Sequence, residues 1–127
     1  MENICKSMEM KMEKEKHETT IRLENHCEEI AKAIRTGKYD FDPDNSEYGE
    51  PCAGDYLSDI LDYRYTISSS KEYIGAHILV AFGGPNIWIN TVDKCVEGYW
   101  GSDEVKRYYY EDELGLCEYM EEFYQCS

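Results

Sequence analysis

Leu23, Cys27, Ile30, Ala31 and Ile34 recur at helical spacing and make one apolar stripe, so Met8 to Ile34 reads as an amphipathic helix. Met8 and Met12 extend a weaker stripe into a Lys/Glu-rich run. Residues 1–18 therefore read as a helical extension of a single domain covering 1–127. Gly37, in "RTGKYD", is placed to stop the helix in left-handed backbone. Tyr56, Leu57, Ile60 and Leu61 then predict a short second helix within "AGDYLSDILDY".

From Tyr63 the period changes. "YRYTISSS" and "EYIGAHILVAF" are β-branched and aromatic, the second with an apolar face at Ile74, Ala76, Ile78, Val80 and Phe82. "GGP" at 83–85 breaks that strand; Gly83 and Gly84 suit a tight turn before Pro85. "NIWINTV" and "CVEGYW" predict two strands joined near Val92-Asp93-Lys94, and residues 104–110 a last one. "EDELGLCEYMEEFYQC" predicts a closing amphipathic helix, with Leu114, Cys117, Met120, Glu121 and Tyr124 bracketing one side. This order predicts an α+β fold, an antiparallel meander of four to five strands packed on an N-terminal, a short second and a C-terminal helix.

Charge changes the picture more than composition does. The formal net charge is −14, and its excess sits in two segments. Residues 39–62 hold eight acids and no base; residues 97–127 hold nine acids and two bases. Acidity spread evenly would serve solubility, whereas polarised acidity makes an electrostatic surface if the two segments meet. The residues in question are Asp40, Asp42, Asp44, Glu47 and Glu50 of the loop, Asp55, Asp59 and Asp62 around the second helix, and Glu111, Asp112, Glu113, Glu118, Glu121 and Glu122 at the C-terminus.

A calcium loop is the obvious competing use of Asp40, Asp42 and Asp44. Counted from Asp40, positions 1, 3 and 5 fit an EF-hand, but position 12, which should be a bidentate Glu, is Pro51. No metal is therefore assigned. The six cysteines have no CxxC pair, and with His17, His26 and His77 they form no zinc pattern, so they read mainly as small buried apolar residues. No apolar run is long enough to span a membrane, and "MENICKSMEMKMEKEKHETT" lacks the pattern of a secretory leader; a cytoplasmic chain is the expectation.

Enzyme chemistry finds little to work with. "FGGPN" lacks the Lys-Ser/Thr of a phosphate loop, and His77 reads as a half-exposed strand histidine with no partner visible in the sequence. Cys95 at a turn edge has only Lys94 to activate it. Trp88 and Trp100, with Tyr99, Tyr108, Tyr109 and Tyr110, suggest base stacking. Stacking surfaces interleave aromatics with cations, and only Lys106 and Arg107 are near, so direct nucleic-acid binding is disfavoured. Trp88 reads instead as core filling between sheet and helices.

The segment "GAHILVAFGGPNIWINT…VEGYWGSDEV", residues 75–105, with "GKYDFDPD…AGDYLSDILDYRYTISSSKEYIGA" before it and "GLCEYMEEFY" after, resembles a family of small acidic proteins carried on mobile elements and prophages of gut Clostridia-type bacteria. Members of that family keep company with antirestriction and other anti-defence genes. The resemblance covers about residues 28–126 and implies a role against host DNA defence; it supplies no catalytic residues and no cofactor. Joined to the charge pattern, it leads to the expectation of a non-enzymatic inhibitor of anti-CRISPR or antirestriction type. Such a protein would place its acidic residues in the basic groove of an RNA-guided nuclease or a restriction–modification enzyme. Two alternatives stay open: a protein-interaction module of mobile-element maintenance that binds through sheet aromatics, and a small metal-dependent or hydrolytic enzyme.

Overall fold

The computed structural model describes the backbone of residues 2–126 and the side chains of residues 18–126. Cys5, the Met8/Met12 stripe and His17 lie outside the described side chains. Helix α1 (Glu2–Thr36) opens the chain, followed by a 3-10 turn (Pro43–Asn45) and the one-turn helix α2 (Ala53–Tyr56). Five strands follow, β1 (Asp62–Ile67), β2 (Tyr73–Ala81), β3 (Asn86–Asn90), β4 (Cys95–Trp100) and β5 (Asp103–Tyr108), before the closing helix α3 (Leu116–Cys126).

The strands pair antiparallel in chain order, β1-β2-β3-β4-β5. The α+β meander read from the sequence is the observed fold. Among the described residues the helices pack on one face of the sheet: α1 lies over β4 and β5, α3 over β2, and α2 against α3. Period-2 alternation supplies the core from the sheet side through Ala76, Ile78, Ile87, Ile89, Val96 and Val105. The stripe Leu23, Cys27, Ile30, Ala31 and Ile34 meets it from α1, and Leu116 and Met120 meet it from α3.

Gly98 sets how closely α1 approaches β4. A Cβ there would lie 2.6 Å from the Sγ of Cys27 and 2.8 Å from Cδ1 of Leu23, so the helix rests on bare backbone. Thr20 Oγ1 donates to Asp103 Oδ2 at 2.8 Å, and Arg107 pairs with Glu24 at 3.6 Å, tying the helix to β5. The end of α1 and the approach to α3 are joined where Leu114 N donates to Ile34 O at 3.1 Å.

Several sequence expectations are corrected. The second helix ends at Tyr56 rather than running through Leu61; Leu57, at φ −93° and ψ 10°, leaves helical backbone, and Leu61 is exposed. On β2 the apolar face holds at Ala76 and Ile78 but not at its ends, where Ile74 and Phe82 are exposed. The closing helix starts at Leu116 rather than in the acidic run, because Gly115, at φ +80°, interrupts the chain. Of the described cysteines Cys27 and Cys95 are buried, Cys52 and Cys117 half-buried and Cys126 exposed, so the small-apolar reading holds for the first two. Trp88 does not fill the core. Its neighbours Ile87 and Ile89 face the helices, and alternation turns Trp88 to the uncovered side.

Candidate functional site

The acidic loop is a built structure. Asp42 accepts from Asp44 N at 3.1 Å through Oδ1 and from Asn45 Nδ2 through Oδ2, which pins the 3-10 turn behind Pro43. Tyr39 closes the loop at its base. Its hydroxyl donates to Asp55 Oδ2 at 2.6 Å and accepts from Cys52 N at 3.0 Å. Burial, followed by that bond to the Asp55 carboxylate, pushes the Tyr39 phenol up to about 12. Tyr48 fastens the loop's far side: its ring lies against Gly54, where a Cβ would come within 2.5 Å of it, and its hydroxyl is 3.2 Å from that of Tyr119 on α3.

Four of the sequence-predicted acids are occupied locally. Besides Asp42 and Asp55, Asp112 caps α3 by accepting from the backbone N–H of Gly115, Leu116 and Cys117 at 2.9–3.0 Å. Asp62 accepts from Tyr63 N at 2.9 Å and pairs with Arg64 at 3.9 Å. Asp40, Asp44, Glu47, Glu50, Asp59, Glu111, Glu113, Glu118, Glu121 and Glu122 are exposed, and none is in an ion pair among the described residues. The structure thus brings the loop to α3 through Tyr48 and Tyr119, leaving carboxylates of both segments in solvent.

Sequence reasoning missed a second cluster, on the uncovered sheet face. Glu97 lies at its centre, directly opposite Trp88 on β3 and Lys106 on β5. Its Oε1 accepts from Asn90 Nδ2 at 2.7 Å, its Oε2 from the Tyr99 hydroxyl at 2.9 Å, and His77 Nε2 is 4.0 Å from Oε1. Burial raises the Glu97 carboxyl, but the Asn90 and Tyr99 hydrogen bonds, with the charges of His77 and Lys106, outweigh it and hold the group below its ordinary value. Glu97 is therefore a fixed acceptor that stays ionised. Arg64 reaches over the Trp88 ring, 5.7 Å from its centroid. Arg64, Tyr65, His77, Trp88, Glu97 and Tyr99 line a shallow recess of about 400 Å³.

His77 is the half-exposed strand histidine expected, and its neighbour is Glu97, two strands away. Alternation around Val96 and Gly98 placed Glu97 and Tyr99 on one face, which was the available signal. Cys95 Sγ lies 3.7 Å from Glu97 Oε1; burial, with the Glu97 and Asp93 carboxylates, pushes its thiol up to about 11. It is thus held as a thiol, the less nucleophilic form. Among the described residues no three His, Cys, Asp or Glu side chains are grouped to hold a metal ion. No helix among them is long and apolar enough to cross a membrane.

Comparison with protein-family models, curated proteins and solved structures gives no match. The chemistry of the two clusters rests on their own geometry. One is an acidic loop fixed to an acidic helix; the other is an aromatic recess around an oriented carboxylate.

Proposed function

We propose that this chain is a stoichiometric inhibitor of a host nucleic-acid-targeting defence enzyme, an RNA-guided nuclease or a restriction–modification enzyme. Its acidic loop and closing helix occupy the basic groove that receives nucleic acid. The observation that carries the reading is the Tyr48–Tyr119 contact, which brings the two acid-rich segments together at their aromatic residues. Duplex DNA presents one negative charge per about 1.7 Å of axis, so a groove built for it attracts a dense row of carboxylates. The resemblance of residues 75–105 to anti-defence-associated proteins of mobile elements points the same way. Catalysis is not required of such a protein; charge complementarity speeds encounter and aromatic anchors slow release.

The test is direct. Purified chain is titrated into a purified RNA-guided nuclease and, separately, a restriction enzyme, with cleavage and binding followed at stepped salt. The reading expects loss of cleavage at a fixed molar ratio, competition by duplex oligonucleotide, and affinity that falls steeply as salt rises. Because Asp42 holds the loop turn, the informative variant is Asp40→Asn with Asp44→Asn, which should weaken binding without unfolding the loop. Inhibition indifferent to both salt and these substitutions removes the acidic loop from the mechanism.

A second reading draws on the uncovered sheet face. Trp88 under Arg64, beside the oriented Glu97, is a surface suited to a protein partner that supplies its own aromatic or hydrogen-bond donor. On that reading Trp88→Ala abolishes binding, while Asp40→Asn with Asp44→Asn leaves it intact.

A further inference from the structure

The sheet has two outer strands, built differently. β5 carries Asp103, Glu104, Lys106 and Arg107, charges of the kind that keep an edge from accepting another strand. β1 instead presents Tyr63, Tyr65 and Ile67 along its helix side, with Leu61 just before its first residue. Leu61 is 58% exposed, Tyr63 45% and Ile67 44%. Phe123 of α3, which shares a small apolar depression with Tyr63, is 48% exposed. An edge of this composition is a template for another strand.

The outward backbone groups of β1 follow from its neighbours. Thr91 N donates to Ala76 O and Ala76 N to Thr91 Oγ1, so Ala76 directs both its groups toward β3. Alternation then turns those of His77 and Leu79 toward β1, where they meet Arg64 and Asp62. Tyr63 and Tyr65 are left with N–H and C=O pointing away from the sheet. Tyr63 N–H accordingly donates to the Asp62 side chain rather than to the ladder.

We propose that β1 pairs antiparallel with β1 of a second copy of this chain about a two-fold axis at Tyr63, joining the two sheets into one. In this register Tyr63 faces Tyr63 of the second copy and exchanges a pair of N–H···O=C bonds with it, its N–H leaving the Asp62 side chain, while Tyr65 lies at the end of the partner strand beside Leu61, whose own N–H is held by Leu79 O at 3.0 Å. On the uncovered face Asp62 of each copy stands opposite Arg64 of the other, in the closely spaced non-hydrogen-bonded pairs where side chains interact most. Moving the axis by one residue along the strand sets Arg64 against Arg64, or Asp62 against Asp62. A slip that breaks the parity sends the apolar row to the wrong face. Charge and backbone direction therefore select the same register.

The test uses this two-fold charge pattern. Sedimentation equilibrium of the full chain should give a concentration-dependent dimer. Asp62→Arg and Arg64→Asp, both on exposed side chains, should each weaken it about tenfold or more, because like charges then oppose each other twice. Mixing the two variants should restore association as a heterodimer, since one edge then carries two cations and the other two anions. Circular dichroism spectra of each variant should match the parent chain, while its melt falls toward that of the diluted parent. A monomer at all concentrations, a dimer indifferent to both substitutions, or single losses that mixing does not repair would each overturn the proposal.

Discussion

The hydroxyls of Tyr48 and Tyr119 lie 3.2 Å apart, seventy-one residues distant in the chain, and they form the clasp between the acidic loop and α3. Burial, followed by the bond to Tyr48, pushes the Tyr119 phenol up to about 12, so Tyr119 keeps its proton through the physiological range. Tyr48→Ala removes both the hydroxyl and the ring that covers Gly54. Amide exchange over residues 40–50 should accelerate, with global stability falling by about 1 kcal/mol; Tyr48→Phe, which keeps the ring, should lose only part of that. Hydrogen exchange followed by mass spectrometry on the three chains reads the difference.

Gly98→Ala should be among the most damaging single-methyl changes in this protein. The added carbon meets Cys27 Sγ at 2.6 Å and Leu23 Cδ1 at 2.8 Å, so α1 must lift from β4 or the side chains must leave their rotamers. Overpacking of this kind costs about 1–3 kcal/mol. Combining it with Cys27→Ala should recover part of the loss, since Leu23 still crowds the site; urea denaturation midpoints of the single and double variants check this.

Glu97→Gln separates electrostatics from packing. The Glu97 carboxyl is held below its ordinary value of 4.5, so its contribution to stability is present above that pH and lost as pH falls through the lower folded-state value. The Gln variant should therefore show a flatter dependence of Tm on pH below about 4.5 than the parent. Tyr99, raised to about 12 by burial and by its bond to Glu97, should titrate lower in the variant, though still above 10 because burial remains. Ultraviolet titration of tyrosinate absorbance gives the second readout.

Tyr109 is fully buried, and its hydroxyl has no hydrogen-bond partner among the described residues. Removing the hydroxyl and keeping the ring leaves no desolvated donor behind, so Tyr109→Phe should raise stability by about 1 kcal/mol. A thermal melt showing a lower Tm would mean that this oxygen has a partner after all.

The sheet was legible because Ile78, Ile87, Ile89 and Val96 keep strict alternation, and each strand pairs with the next in the chain. What alternation cannot report is which face the helices take when both carry large residues. Trp88 and Leu79 compete with Ile87 and Ile89 in hydrophobicity, and only tertiary packing decides between them. Helix ends were misread where backbone geometry overrode spacing, at Leu57 and at Gly115. The acidic residues were identified by counting, but their division into structural and free ones was not. Asp112 and Asp55 look like their neighbours in sequence, and only the cap and the Tyr39 bond set them apart. The Glu97 cluster draws on residues of all five strands, so it exists only once register is known.

The order of the strands has a consequence for synthesis. Each strand finds its partner in the segment just before or after it, so the hairpins have low contact order and can close as they leave the ribosome. Helix α1 is made before β4 and β5, the strands on which it rests. Its apolar stripe must therefore wait, uncovered, until the meander is nearly complete. The core between α1 and the sheet thus closes across most of the chain's length, unlike the hairpins.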